Sequence, residues 1–400
     1  MIILPRPVLQ SRSSPFGRQN SNVLFPAILA IVFLSFWLSL SPSAGLSQIG
    51  AQTSHVGRDV PVFVSSKEPL YGDLKYELSE DLRIGSESDP QKFFYTVLDI
   101  DADVAGNIYV VDAHNYRIQV FDSLGRYIRT VGRKGQGPGE FEYPFFIRLD
   151  EETGRMLIVD RWVSLRIFDL NGRFRESLTV GNMQKIFPCR DGYFLGILLK
   201  HSEDEMTYTH ALCRIDSGGS IISKIAEHPF YLFAQRLSSD AISVRTTRYE
   251  LGLRLAKIAK ETFAFGYSGM YEITLIDGDG KVLHRFRRDE RPPQFTAEER
   301  LRLKIVPEKK PHFFELLTDS LERIYVQRNM AYGKIMVEVR DKEVDVFDRT
   351  GRFLFRTRLP ANTRVIRDGL LYCWELNEEE GMEYVKRYRI LNWDRIVRAN

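Results

Sequence analysis

Imidazole is the side chain best placed to bind a metal or carry a proton near neutral pH. The chain has seven: His55, His114, His201, His210, His228, His284 and His312. None stands four residues from another, so no helical metal motif is present. No Gly-x-Ser-x-Gly elbow prepares a serine nucleophile. The glycine-rich stretch Gly132–Gly139 lacks the Lys-Ser/Thr pair of a phosphate loop and does not open a helix. Carboxylates recur regularly, at Asp122, Asp169, Asp216, Asp277 and Asp348, and a glycine follows each three positions later. An Asp there bonds the amides ahead of it while Gly takes the positive φ of a tight turn, so these acids read as turn caps. Arg161 and Trp162 stand side by side, and Arg and Trp dominate the energetics of interfaces.

These residues sit in a repeating frame. Tyr116–Phe121 alternates, with Ile118 and Val120 on one face and Arg117 and Gln119 on the other. Asp122–Gly125 turns the chain, and Arg126–Val131 returns as a second strand. The same hairpin recurs over 165–180, 212–226, 273–286 and 344–359. The sixth copy, Leu391-Asn392, has Arg395 where glycine is expected. Upstream of each hairpin lies another strand, such as Asn107–Asp112, Arg155–Asp160 or Leu370–Glu375, and before that one more apolar stretch. The unit is four antiparallel strands used six times, which predicts an all-β, six-bladed β-propeller over 74–400. The last unit is one strand short, and Leu74–Leu82 is predicted to close it as the outer strand. Residues 48–73 read as a linker. Thr296-Ala297-Glu298-Glu299 is a capping box that predicts a short helix, although Leu301, Leu303 and Ile305 alternate as in a strand. The stretch from Phe230 to Lys260 is predicted to hold the inner strand of blade 4 and a long loop.

With 44% apolar residues the chain can bury a large core. Its net charge of +3 comes entirely from Arg6, Arg12 and Arg18, and the rest is neutral. A neutral body argues against nucleic acid as partner. The basic head, the apolar run Val23–Leu40 and the small residues Ser41–Ser47 make residues 1–47 a signal peptide, with an uncleaved membrane anchor as the alternative. Either places the body outside the cytoplasm, periplasmic or secreted. No cysteine follows the apolar run, which excludes a lipoprotein anchor. Cys189 and Cys213 pair, with Cys373 alone, or all three are buried free thiols.

Asp103–Asp112, continuing through Asn115–Asp122, resembles the NHL repeat, and Gly132–Phe141 with Pro144 resembles the connection between NHL blades. From about residue 60 the chain resembles the exported six-bladed propellers of bacteria that carry degenerate NHL repeats. The resemblance implies fold and compartment more than function. NHL-type propellers include a peptide-amidating lyase with a histidine-bound metal, which makes His114 and His201 the metal hint here. Six-bladed lactone hydrolases hold calcium at inner-strand ends, where Asp99, Asp101 and Asp150 stand in this sequence. Asn115 and Arg117 are expected to hold the strand-to-strand loop by hydrogen bonds.

In such a ring the loops after each second strand share one face with the connections between blades. That face is expected to collect His114, Arg161, Trp162, His201, Arg328, Tyr332 and Trp374 as ligand-binding residues. The reading is a non-catalytic propeller that binds a protein, peptide or glycan there, with no metal and no cofactor. The alternative is a metal-dependent lyase or lactonase-like hydrolase at the mouth of the axial channel. Converging His or carboxylates on inner-strand ends would favour the enzyme, and a mouth lined by apolar and Arg side chains would favour binding.

Overall fold

The computed structural model describes residues 60–201, 208–230, 233–238, 241–245, 251–297, 300, 310–328 and 341–398. The segment 1–47 and Tyr332 lie outside them. Blade 1 is built of Val97–Ala102, Ile108–Asp112, Arg117–Phe121 and Tyr127–Val131. Blade 2 is Pro144–Asp150, Arg155–Asp160, Ser164–Asp169 and Phe174–Thr179, and blade 3 is Met183–Pro188, Phe194–His201, Tyr208–Ile215 and Ile221–Phe230. Blade 4 is Leu253–Ala259, Thr262–Tyr267, Glu272–Asp277 and Val282–Arg287. Blade 5 is Phe313–Thr318, Ile324–Arg328, Asp341–Phe347 and Phe353–Pro360. Blade 6 is Val365–Arg367, Leu370–Asn377 and Met382–Ile390, completed by the N-terminal strand Leu78–Ile84. Within each blade neighbouring strands are antiparallel, and the fold is a six-bladed β-propeller.

Burial explains why the strands read as apolar runs. Each sheet faces a neighbouring blade on both sides, so both sets of alternating residues must be apolar. In blade 1, Ile108 and Val110 enter the core shared with blade 6, while Tyr109 and Val111 enter the core shared with blade 2. Six such clusters fill the six seams between blades. The inner strand of blade 6 lies beside that of blade 1, closing the ring.

The recurring aspartates act as the sequence implies. Asp122 Oδ1 accepts from the amides of Leu124 and Arg126, both at 2.9 Å, and Gly125 follows with φ 73°. Asp216, Asp277 and Asp348 cap their turns in the same way. Asn392 departs for a structural reason. Its side chain accepts from Glu77 N at 3.1 Å and donates to Lys75 O at 2.9 Å, and the chain after it forms the helix Trp393–Arg398. The sixth copy therefore fastens the N-terminal strand instead of turning a hairpin. The glycine-rich connection is also structural. A Cβ at Gly132 (φ 81°) would meet the Phe141 ring at 2.1 Å, so only glycine fits.

Three expectations are corrected or refined. Residues 62–74, at the end of the stretch read as a linker, form a strap. Val62–Val64 pairs in parallel with Arg285–Arg287 on the edge of blade 4, and Leu70, Tyr71 and Leu74 donate to Phe353, Leu354 and Arg356 on the edge of blade 5. Leu74 and Tyr76 then pack into the core between blades 5 and 6, so the closing strand begins at Leu78. Cys189, Cys213 and Cys373 are all free and buried, so the Cys189–Cys213 bridge does not form.

The inner strand of blade 4 lies between Phe230 and Lys260, as expected. The same stretch contains a hairpin, Phe233–Ser238 with Ala241–Arg245, which is a small unit by itself. Arg300 N donates to Thr296 O at 3.0 Å, the first bond of the expected helix, and Leu301 onward lies outside the described residues until Lys310.

A charged, arginine-lined channel mouth beside an aromatic row

Strand direction alternates, so the turns after second strands and the connections between blades emerge on one face. Two buried aspartates build that face in blades 1 and 2. Asp112 accepts from Tyr95 N (3.0 Å), Asn115 Nδ2 (2.8 Å) and Arg117 Nε (2.9 Å), and Arg117 also donates to Phe93 O (2.7 Å). Asn115 and Arg117 thus hold the loop as the sequence suggested. Asp160 does the equivalent work in blade 2, accepting from Tyr143 N at 2.6 Å.

The loops so fixed bring five aromatic rings into a row. His114 meets Tyr95 at 5.4 Å and Tyr143 at 5.8 Å, both edge-on. Trp162 stacks on Tyr143 at 5.6 Å and on Phe145 at 4.9 Å. Tyr95 is 61% exposed and the other four rings are half-buried. Arg161 and Trp162 open the three-residue turn 161–163 between strands two and three of blade 2, and both are left-handed, at φ 51° and 59°. That conformation costs a non-glycine residue about 1–2 kcal/mol. Strain of this kind concentrates at functional sites. Arg161 Nη1 pairs with Glu142 at 2.7 Å, beside the Trp162 ring. His114 Nδ1 lies 2.6 Å from Thr96 Oγ1, which occupies one of its two ring nitrogens.

The inner strands face the axis of the ring, and charged side chains from different blades meet there. Charged side chains on or next to the inner strands of all six blades include Asp99, Arg148, Lys185, Arg254, Glu315 and Arg364. Asp99 accepts from Arg148 Nη1 (3.0 Å) on one oxygen and from Arg364 Nε (3.1 Å) on the other. Lys185 in blade 3 reaches Glu315 in blade 5 at 2.7 Å and also donates to Leu255 O of blade 4 at 3.2 Å. Arg254 donates to the carbonyls of Phe314 and Leu253. Burial alone would push the Glu315 carboxyl up, but Lys185, Arg364 and Arg254 outweigh it and hold the group down to about 2. Burial lowers the Lys185 pKa, and Arg148 and Arg364 push the same way against Glu315.

The sequence missed this ring. Its one visible signal is charge set within otherwise apolar inner strands, as Arg148 in Phe145-Phe146-Ile147-Arg148-Leu149. The residues proposed for calcium do not converge. Asp99 and Asp101 stitch blade 1 to blade 2 through the amides of Ile147 (3.2 Å) and Leu149 (2.9 Å), and Asp150 pairs with Arg155 at 2.8 Å. Among the described residues no group of three or more His, Cys, Asp or Glu is placed to hold a metal.

Two expected ligand-binding residues are engaged elsewhere. Arg328 is bound by Glu290 (2.6 Å), Asp345 (2.7 Å) and Glu343 (3.3 Å), in a cluster where Asp345 also takes Arg288, Arg356 and the Tyr271 hydroxyl. Trp374 is only 8% exposed and belongs to the core between blades 6 and 1. It still serves the mouth indirectly, because the Arg364 guanidinium lies 4.8 Å from its ring centre. His201 ends the second strand of blade 3, paired in register with Tyr208, and its side chain is outside the description.

The opposite face carries a polar cleft of about 210 Å³, lined by Asp150, Cys189, Lys257 and Glu261 among others. Lys257 Nζ donates to Pro188 O at 2.9 Å, and burial lowers its pKa. Burial raises Cys189 to about 12, which keeps it a thiol.

A family model described as "6-bladed beta-propeller" matches residues 98–232, which are blades 1 to 3. A member of the DUF4221 family from Bacteroides vulgatus is similar in structure at 14% identity and a TM-score of 0.51, covering 79% of this chain and 98% of that one. A Bacteroides fragilis protein described as exported gives 12% identity and a TM-score of 0.49, covering 82% of this chain and 99% of that one. Virginiamycin B lyase from Staphylococcus aureus gives 8% identity and a TM-score of 0.41 over 79% of this chain and all of that one, 100%. No curated protein matches the chain. The class that the strands and the match define is the six-bladed β-propeller. At these identities the structural likeness speaks for fold alone.

Proposed function

We propose that the protein is an exported recognition propeller of the NHL-like type. It binds a protein, peptide or glycan on the face that carries Trp162 and the channel mouth, and does so without catalysis. The observation that carries this reading is the make-up of the mouth. Three arginines and a lysine line it, and Asp99 and Glu315 are bonded to those cations. A lyase or lactonase would need histidines or carboxylates converging with free lone pairs. The strained turn supports the same reading, since it presents Arg161 and Trp162 side by side. The ring of packed blades fixes these loops in advance, which limits the ordering cost of binding. Export is supported by the basic, apolar and small-residue succession of residues 1–47, with membrane contact only through that segment.

The test is to pan a random peptide library, and in parallel a glycan array, against the exported chain. Recovered ligands are then measured against Trp162→Ala and against Leu124→Ala, which alters an exposed residue on the opposite face. The reading expects at least tenfold weaker binding, or about 1.4 kcal/mol, for Trp162→Ala and no change for Leu124→Ala. Ligands that bind both variants as tightly as the unaltered chain would overturn it.

A further inference from the structure

The cleft on the face away from Trp162 is built by the turns that follow the inner strands of blades 2, 3 and 4. Lys257, on the inner strand Leu253–Ala259, reaches into it. Thr318 Oγ1 of blade 5 donates to Lys257 O at 2.6 Å, which pins that strand. The amine donates to Pro188 O at 2.9 Å and lies 5.7 Å from the centre of the Phe263 ring. Among the described residues no carboxylate pairs with it and no second acceptor bonds it, which leaves two of its N–H donors for a ligand. The carboxylates of Asp150, Glu152, Asp191 and Glu261 line the cleft against the cations Arg190, Lys257 and Lys260. Asp150 is bonded to Arg155 and Glu152 to Lys260. The cleft therefore offers an anion no surplus of positive charge, and a neutral oxygen acceptor suits the Lys257 donors better. Its volume of about 210 Å³ is below the roughly 300 Å³ at which pockets for drug-sized ligands begin, so the ligand is small.

Burial lowers the Lys257 pKa, against Cys189, Asp150, Glu261 and Glu152, which oppose it. More of this amine is therefore unprotonated at neutral pH than of an exposed lysine, and the unprotonated amine is a nucleophile. Cys189 lines the same cleft, but burial raises it to about 12 and leaves the amine as the reactive group. Burial also raises the Glu261 carboxyl, so it holds a proton more readily than an exposed glutamate. We propose that this cleft takes a small neutral carbonyl compound, an aldehyde or ketone, and that Lys257 binds it as an imine. The nitrogen lone pair attacks the carbonyl carbon, the C=O π bond opens, and a proton passes from nitrogen to oxygen to give a carbinolamine. The second nitrogen proton reaches the hydroxyl, by way of Glu261, and the oxygen leaves as water while the C=N bond forms. Amine and carbonyl give imine and water, so the step needs no further reactant. The site lies on the face opposite the recognition face and does not rest on that reading.

The test treats the folded chain at neutral pH with a limiting amount of butanal and sodium cyanoborohydride, which reduces an imine to a stable amine. Peptide mass spectrometry then locates the adduct. Lys257 is expected to carry about tenfold more label than the exposed Lys67 and Lys281. Lys257→Arg keeps the positive charge but stays protonated, so label at this position should vanish while the other lysines react as before. The comparison among lysines of the unaltered chain decides the matter even if that variant folds poorly. Label confined to exposed lysines, or no greater on Lys257 than on Lys67 and Lys281, would overturn the site. Protection of Lys257 by sodium acetate at constant ionic strength would assign the cleft to a carboxylate and overturn the carbonyl reading.

Discussion

At the scale of single residues, burial decides which groups are available for chemistry. The three cysteines are withdrawn: burial raises Cys189 and Cys373 to about 12 and Cys213 to about 11. A thiol reagent should therefore leave the native chain unmodified and label all three cysteines after unfolding. Rapid labelling of the native chain would contradict their placement. Glu383 is different, because it titrates in the neutral range. It accepts from Val97 N across the seam between blades 6 and 1. Burial raises its pKa to about 7, with the Val97 bond opposing and Asp112 adding. The folded chain therefore holds this proton more tightly than the unfolded chain, whose carboxyl titrates near 4.5. Stability from this group is full below about pH 4.5 and is lost as pH rises to about 7, up to about 3 kcal/mol. Urea unfolding at about pH 5 and about pH 8 should show that slope in the native chain and a flatter one in Glu383→Gln. An unchanged slope in the variant would assign the pH dependence elsewhere.

At the scale of elements, what was legible in the sequence is what is local. An Asp at a strand end with Gly three residues on is a complete turn in itself, so five of six hairpins could be located from spacing. The inner-strand charges were not legible as a site, because Lys185 and Glu315 are 130 residues apart and meet only when blades 3 and 5 face one channel. Trp374 was misplaced for a related reason. Its strand continues to Asn377, so the residue lies within the sheet, opposite Val385, and not in the loop after it. Arg328 ends a strand as expected, but Asp345 on the next strand draws it inward. The strap over 62–74 has no alternation to reveal it, since it offers backbone groups to the edges of blades 4 and 5 and buries few side chains. The Asp345 cluster carries its own prediction. Asp345 is fully buried and holds Arg288, Arg328 and Arg356 at 2.6, 2.7 and 2.9 Å. Asp345→Ala removes the one buried carboxylate that the three guanidiniums share, leaving them only the more exposed Glu290 and Glu343, and should cost about 3 kcal/mol in denaturant unfolding. A loss under about 1 kcal/mol would mean that the arginines find solvent or other acids.

At the scale of the whole molecule, the ring is closed by its ends. The N-terminal strand completes blade 6, Asn392 clasps it, and a buried network joins Tyr76, Tyr325, Asp319 and Arg323 to the carbonyl of Ile396 in the C-terminal helix. Closing the ring covers both faces of every blade with a neighbour and leaves only short outer edges, two of which the strap covers. Removing residues up to 73 should lower the melting temperature while leaving a cooperative transition, since only the strap over blades 4 and 5 is lost. Removing residues up to 84 should abolish the cooperative transition, because blade 6 then loses its outer strand. Equal stability of the two truncations, measured by thermal unfolding, would show that the closure does not depend on that strand. A closed, rigid ring is also what makes the loop face a platform, and the central claim is that its channel mouth recognises a ligand and holds no catalytic metal. Elemental analysis of the chain, purified without chelator, tests that claim most directly. The account predicts zinc and calcium far below one atom per chain in a fully folded protein. One zinc or calcium per chain that survives dialysis and is lost in His114→Ala would contradict it.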